Sequence, residues 1–121
     1  MTQQHISRYF TREEFACKCG CGFAAVDMQL LMLLEKVRVH FNKPVTITSA
    51  CRCETHNHNV GGSKNSKHKL GIAADIKVKD TPANEVYSYI DSCYPSTLGL
   101  GDYHGFTHVD VRQERARWSG R

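Results

Sequence analysis

The sequence has no long apolar run and no apolar segment behind its first methionine. Its longest apolar stretch lies near residues 30–34, far short of the ~20 residues that span a bilayer. We therefore expect no membrane span, no signal peptide and synthesis in the cytoplasm. Internal repeats and low-complexity tracts are also missing. With 40% hydrophobic and 23% charged residues, the composition excludes disordered, collagen-like and coiled-coil proteins.

The chain is short and mildly basic. Its 121 residues suit a single domain with one core, which we expect to be monomeric. Lysine and arginine outnumber the acidic residues by 16 to 12, and four arginines fall in the last ten positions. We interpret residues 1–10 as an N-terminal arm and 113–121 as a solvated basic tail. No aromatic–basic stripe accompanies the tail, so nucleic-acid binding is not expected.

Hydrophobic periodicity and capping residues predict an α+β fold. Asp27 is a good N-cap, Thr11 and Glu14 form a capping-box pair, and Thr81 before Pro82 is typical of a helix start. The order of elements favours a small, mostly antiparallel sheet with helices on one face. The predicted elements are helices at 28–42 and 82–93, strands at 45–49, 72–78, 98–101 and 106–112, and a long loop over 51–66.

Strand alternation separates two chemically active side chains from the core. In the strand 72–78 every second residue is apolar, which leaves Asp75 on the opposite face. In the strand 106–112, His108 lies opposite the core-facing valines. If the fold brings His68 to the same point, two imidazoles and a carboxylate make a zinc site with an open fourth position. We expect this site on the sheet face away from the helices.

The motif Ser66-x-His68-x-x-Gly71-x-Ala73-x-Asp75, followed by His108-x-Asp110, resembles that of the zinc D-alanyl-D-alanine carboxypeptidase family. That family also includes D-Ala-D-Ala dipeptidases and phage L-alanyl-D-glutamate endolysins. The resemblance covers roughly residues 9–118 and is strongest to the phage-type branch. Further matching stretches are Phe10-Thr11-x-x-Glu14-Phe15, residues 48–52 with Asn57 and Gly61-Gly62, Phe106-x-His108-Val109-Asp110-Val111-Arg112, and Arg117-Trp118.

The resemblance implies a role for each residue of the site. His68, Asp75 and His108 match the family's zinc ligands. Arg52 matches an arginine beside the substrate carboxylate or carbonyl, and Ser66 matches a serine near the substrate. A cation near the scissile carbonyl stabilises the negative charge that develops on its oxygen.

The sequence offers two candidates for the general base. Better-known relatives carry a glutamate or histidine shortly before the last zinc histidine, where this chain has Gly105 and Phe106. Asp110 is the preferred candidate because alternation places it beside His108, and His104 is the other. Asp110 has an alternative role as the carboxylate that orients His108. Phe106 is a candidate apolar wall of the substrate groove.

Two functions from different classes follow from the resemblance. The first is a zinc peptidase that cuts an amide bond in a peptidoglycan stem peptide, as a carboxypeptidase or an endopeptidase. A phage- or prophage-encoded enzyme, released through membrane lesions or carried on a virion, would reach the cell wall without a leader. The second is a non-catalytic zinc module, as in hedgehog signalling domains, and the missing base before His108 favours it.

Six cysteines form two clusters and one isolated position. Three states stay open for the clusters: a second, structural zinc site, disulfides between the clusters, or free thiols. Cys-x-Cys is not the usual zinc spacing. An anchor at the second cluster would pre-position Arg52, which lies inside it. The cysteines are Cys17, Cys19 and Cys21, then Cys51 and Cys53, and finally Cys93.

Overall fold

A computed structural model describes residues 5–17, 26–50 and 71–120. Within these ranges the chain forms three helices and five strands. In chain order they are α1 (Arg12–Phe15), α2 (Met28–Phe41), β1 (Val45–Ser49), β2 (Ala73–Val78), α3 (Ala83–Cys93), β3 (Gly99–Asp102), β4 (Thr107–Asp110) and β5 (Ala116–Ser119). None of the helices in the described ranges is long and apolar enough to cross a membrane.

The strands form one sheet in the order β1-β2-β4-β3-β5. Every neighbouring pair is antiparallel except β3 and β5, which run parallel. Apolar residues of α2 and α3 pack with the same alternate positions of the strands, so the core lies between the helices and one sheet face. The predicted α+β class and the mostly antiparallel sheet are confirmed. The core residues that define this face include Leu34, Val37, Ala74, Ile76, Val86, Ile90, Leu100 and Val109.

The start of α2 follows the predicted cap, whereas that of α3 does not. Asp27 accepts hydrogen bonds from the backbone N–H groups of Gln29 (2.8 Å) and Leu30 (3.3 Å). The N-cap of α3 is Pro82, with an extended ψ of 145°, so the prediction of Thr81 at this position is wrong. The Thr81 hydroxyl instead donates to the carbonyl of Lys79 at 3.0 Å, within the preceding turn.

The N-terminal arm is packed onto the core where it is described. Phe10 and Phe15 are both buried, and their rings meet edge to face at 6.0 Å. Thr11 N–H donates to Glu14 Oε1 at 2.8 Å, as the capping-box pattern predicts. Glu35 of α2 accepts a hydrogen bond from the backbone of the arm, which fixes it against the helix.

The strand β5 corrects the expectation of a solvated basic tail. Residues 116–119 pair with β3, and Ala116 N–H donates to the Leu98 carbonyl at 3.0 Å. The Arg117 side chain is only 9% exposed and binds Asp91 Oδ1 at 2.7 Å. It also donates to the Tyr94 carbonyl at 2.8 Å, at the end of α3. These partners lie far from β5 along the chain, so the basic composition of residues 113–121 does not indicate that they contain a strand.

Candidate active site

The sheet register lines up a row of residues on the face away from the helices. Asp75 of β2 is the direct partner of His108 on β4. His108 is in turn the partner of Gly101 on β3, and Gly101 is the partner of Trp118 on β5. The predicted face of Asp75 and His108 is therefore correct, and the row continues into a strand that the sequence analysis missed.

His108 contacts a carboxylate with each nitrogen of its ring. Its Nδ1 lies 3.0 Å from Asp75 Oδ1, and its Nε2 lies 2.8 Å from Asp110 Oδ2. Burial alone would lower the pKa of His108. Hydrogen bonds to Asp110 and Asp75 outweigh burial and raise this pKa above its ordinary value.

Asp110 is held by Arg112 behind the histidine. Arg112 Nε donates to Asp110 Oδ1 at 2.7 Å, and Arg112 Nη2 donates to Oδ2 at 2.8 Å. Burial of Asp110, which is 0% exposed, would raise the pKa of its carboxyl group. Hydrogen bonds from His108 and Arg112 overcome that effect and hold the pKa well below its usual range. Asp110 is therefore an ionised carboxylate that only accepts hydrogen bonds.

The charge on Asp110 assigns the tautomer of His108. Because Asp110 has no proton to donate, Nε2 of His108 carries the hydrogen of their bond. The other nitrogen, Nδ1, then faces Asp75 Oδ1, and this pair of atoms has to share a proton or a cation. Ligand atoms of a tetrahedral zinc with bonds of ~2.0–2.2 Å stand roughly 3.3 Å apart. The observed 3.0 Å between Nδ1 and Oδ1 is a hydrogen-bond distance, about 0.3 Å below that separation, so the two atoms would move slightly apart to share a zinc ion.

The structure brings together two of the three predicted zinc ligands. His68, Arg52 and Ser66 lie outside the described residues. Within residues 5–17, 26–50 and 71–120, no group of three or more His, Cys, Asp or Glu side chains is arranged to hold a metal. The assignment of zinc to His68, Asp75 and His108 stays a prediction.

The cysteine clusters are largely outside the described residues as well. Cys19, Cys21, Cys51 and Cys53 are not described, whereas Cys17 is buried and Cys93 is half-buried. The second zinc site, the disulfides and the free thiols therefore stay open as predictions.

The two candidate bases occupy different surroundings. Both carboxylate oxygens of Asp110 accept hydrogen bonds, and the residue is fully buried. This geometry favours its alternative role of orienting His108. His104 is exposed, on the turn between β3 and β4, where Tyr103 N–H donates to the Phe106 carbonyl at 3.2 Å. A catalytic role for either residue stays a prediction.

Two glycines of β3 make room for the site. A Cβ on Gly99 would lie 2.5 Å from Asp110 Oδ2 and 2.6 Å from Arg112 Nε. A Cβ on Gly101 would lie 2.5 Å from Trp118 Nε1. Sequence reasoning missed these residues, although the Gly-Leu-Gly pattern was visible and a glycine within a strand often marks a close approach.

Three half-buried rings extend the row beyond His108, and we call them the aromatic shelf: Phe106, Tyr103 and Trp118. The centroids of the Trp118 and His108 rings are 5.2 Å apart. Trp118 Nε1 donates to Tyr103 Oη at 2.9 Å, and Tyr103 stacks on Phe106 at 4.5 Å. Phe106, the predicted wall residue, thus belongs to a larger apolar surface.

Comparison with known proteins adds one match. A family model described as Peptidase M15 matches residues 8–110. The matched range includes Asp75, His108 and Asp110, and it ends before Arg112 and β5. No curated protein sequence matches the chain significantly.

Proposed function

The chain belongs to the Peptidase M15 family of zinc-dependent metallopeptidases, and from that premise we propose that it hydrolyses an amide bond in a peptidoglycan stem peptide. The observation that carries the proposal is the Asp75–His108 pair on the sheet face away from the helices, backed by Asp110 and Arg112. The motif shared with cell-wall peptidases of the phage-type branch supports this substrate class. The protein would act at the cell wall as a monomer.

The residues that would hold the metal are His68, Asp75 and His108. A bound zinc supplies a Lewis acid for the scissile carbonyl and lowers the pKa of a bound water to ~7. Asp110 keeps the hydrogen of His108 on Nε2, so that Nδ1 presents its lone pair beside Asp75. Arg112 in turn keeps Asp110 ionised and fixes its orientation.

The substrate contacts in this proposal come from Arg52 and Ser66. Arg52 stabilises negative charge on the carbonyl oxygen, and Ser66 holds the peptide. The proton of the attacking water passes through Asp110 or His104 to the leaving amine. The buried position of Asp110 supports its orienting role, and the exposed position of His104 keeps that residue as a candidate base.

Digestion of purified peptidoglycan, followed by mass analysis of the fragments, tests the proposal. New amine ends without loss of terminal D-alanine identify an endopeptidase, whereas release of D-alanine identifies a carboxypeptidase. The His108→Ala variant is expected to produce neither. If the zinc-loaded protein cleaves no wall peptide, the non-catalytic zinc module becomes the better interpretation. Gly105 and Phe106, at the positions where relatives carry a base, favour that second function.

A further inference from the structure

We propose that the aromatic shelf is a substrate-contact surface, and that Trp118 selects an uncharged, apolar side chain next to the scissile amide. This inference rests on the proposed peptidase function and deepens it. It adds Trp118 of β5 and Tyr103 of the turn between β3 and β4 to Phe106, the residue already predicted as a wall of the substrate groove.

The first step of the argument is position. Trp118 lies in the same cross-sheet row as Asp75 and His108, separated from His108 only by Gly101. Because Gly101 has no side chain, the indole lies directly against the backbone of β3. The rings of Trp118 and His108 are tilted by 48° with centroids 5.2 Å apart. A peptide whose carbonyl lies at the Asp75–His108 pair would therefore have a neighbouring side chain over the indole.

The second step is rigidity. The stack of Tyr103 on Phe106 is nearly parallel, with an angle of 8° between the rings. Tyr103 also lies so close to Gly120 that a side chain there would overlap its ring. The Trp118 Nε1–H is already bound to Tyr103 Oη, so the indole is held in one orientation. Such a surface binds without first having to be ordered, which lowers the entropic cost of association.

The third step is chemistry. The only polar atom of Trp118 is engaged by Tyr103, so the indole offers apolar ring surface to a ligand. Among the described residues, the cation that lies over the indole is Arg112, 5.4 Å from its ring centre, and its guanidinium already binds Asp110. A substrate carboxylate packed against the indole face would lose hydration there, because the ring offers no free hydrogen-bond donor in exchange. An alanine methyl group in the same place gains van der Waals contact and is preferred.

The test is an alanine-to-aspartate scan of a soluble stem peptide, assayed with the zinc-loaded protein. At one alanine position we expect aspartate to lower kcat/KM by about tenfold or more, the low end of side-chain discrimination by a pocket. Trp118→Leu should reduce that discrimination to less than about threefold. It should also raise KM for the all-alanine peptide, with kcat changed much less. Phe106→Leu, which leaves β5 intact, should shift the same ratio in the same direction.

The matched control is Tyr87→Leu. Tyr87 is a half-buried aromatic residue of α3 that packs against the core on the other side of the sheet. It should alter neither KM nor the discrimination. Trp118 is the only tryptophan of the chain, so its emission in the wild-type protein should change saturably with peptide concentration, with half-saturation near KM.

The outcomes separate the shelf from the proposed function. If the protein cleaves stem peptides but Trp118→Leu and Phe106→Leu leave KM and the discrimination unchanged, the shelf is only structural and the inference is overturned. If these variants lower kcat and the melting temperature but leave KM unchanged, the shelf is again only structural and the inference is overturned. If no stem peptide is cleaved but alanine peptides still change the Trp118 emission and aspartate peptides do not, the peptidase proposal fails while the contact surface stands.

Discussion

The substitution Asp110→Asn separates an orienting carboxylate from a general base. Asp110 accepts from His108 Nε2 at Oδ2 and from Arg112 at both oxygens. An asparagine of the same shape has only one acceptor oxygen, so its NH₂ group must face either His108 or Arg112. In either orientation the NH₂ group opposes a donor of Arg112, Nε at the Oδ1 position or Nη2 at the Oδ2 position. If it faces His108, the imidazole has to move its hydrogen to Nδ1, the atom beside Asp75.

The structure sets the expected size of this effect. A hydrogen bond to a charged group contributes about 1.5–3 kcal/mol to the free energy of unfolding. Asp110 is fully buried, whereas 27% of the Arg112 side chain remains exposed, so part of the pair is screened. We therefore expect the variant to lose about 2 kcal/mol of unfolding free energy. Because the lone pair of Nδ1 becomes less available, zinc affinity should fall by about 10–100-fold.

The assay measures zinc affinity by competition with a chromophoric chelator, and kcat at saturating zinc. A general base gives the opposite pattern: unchanged zinc affinity and a fall in turnover of about 10²–10⁴-fold. The control is Asp91→Asn, which removes an ion pair with Arg117 on the other face of the sheet and should leave zinc affinity unaltered. Wild-type zinc affinity and stability in Asp110→Asn would refute the orienting role. If Asp110→Asn also keeps the wild-type kcat, Asp110 is not the general base. The variant His104→Gln then tests the other candidate.

Three further predictions concern His68, the protonation of His108 and the space at Gly99. His68→Ala should lower the zinc content by one ion per chain relative to the wild type, measured by metal analysis; an unchanged zinc content would place the metal elsewhere. Because the pKa of His108 is raised in the folded protein, the chelator-treated protein should be stabilised below the unfolded imidazole pKa of ~6.5. That contribution is lost as the pH rises through the higher folded pKa, and denaturant titrations that show no such decline would contradict it. Gly99→Ala would bring a methyl group within 2.5 Å of Asp110 Oδ2. It should cost about 1–3 kcal/mol of stability and weaken zinc binding. Gly105→Ala, whose Cβ meets nothing within 4 Å, should leave zinc affinity unchanged and serves as its control.

The sequence by itself determined the parts of the protein that local patterns encode. Alternation of apolar residues is a property of each strand alone, so it placed Asp75 and His108 on the face away from the core before any pairing was known. The Asp27 cap of α2 depends on backbone groups two and three residues ahead, and it was also predicted correctly. The left-handed φ of 70° at Leu98, by contrast, starts β3 one residue later than expected.

Only the tertiary structure decided which groups surround His108. Arg112 reaches back to Asp110 across the space left by Gly99, a contact that depends on the register of β4 against β3. Trp118 comes beside His108 because β5 pairs in parallel with β3, and the charged partner of β5 lies on α3. No periodicity within residues 113–121 signals that pairing, because its hydrogen bonds and ion pairs join segments far apart in the chain. The sheet face that carries Asp75 and His108 could therefore be predicted from each strand alone. The contacts that orient and flank His108 form only when the strands pair into the sheet.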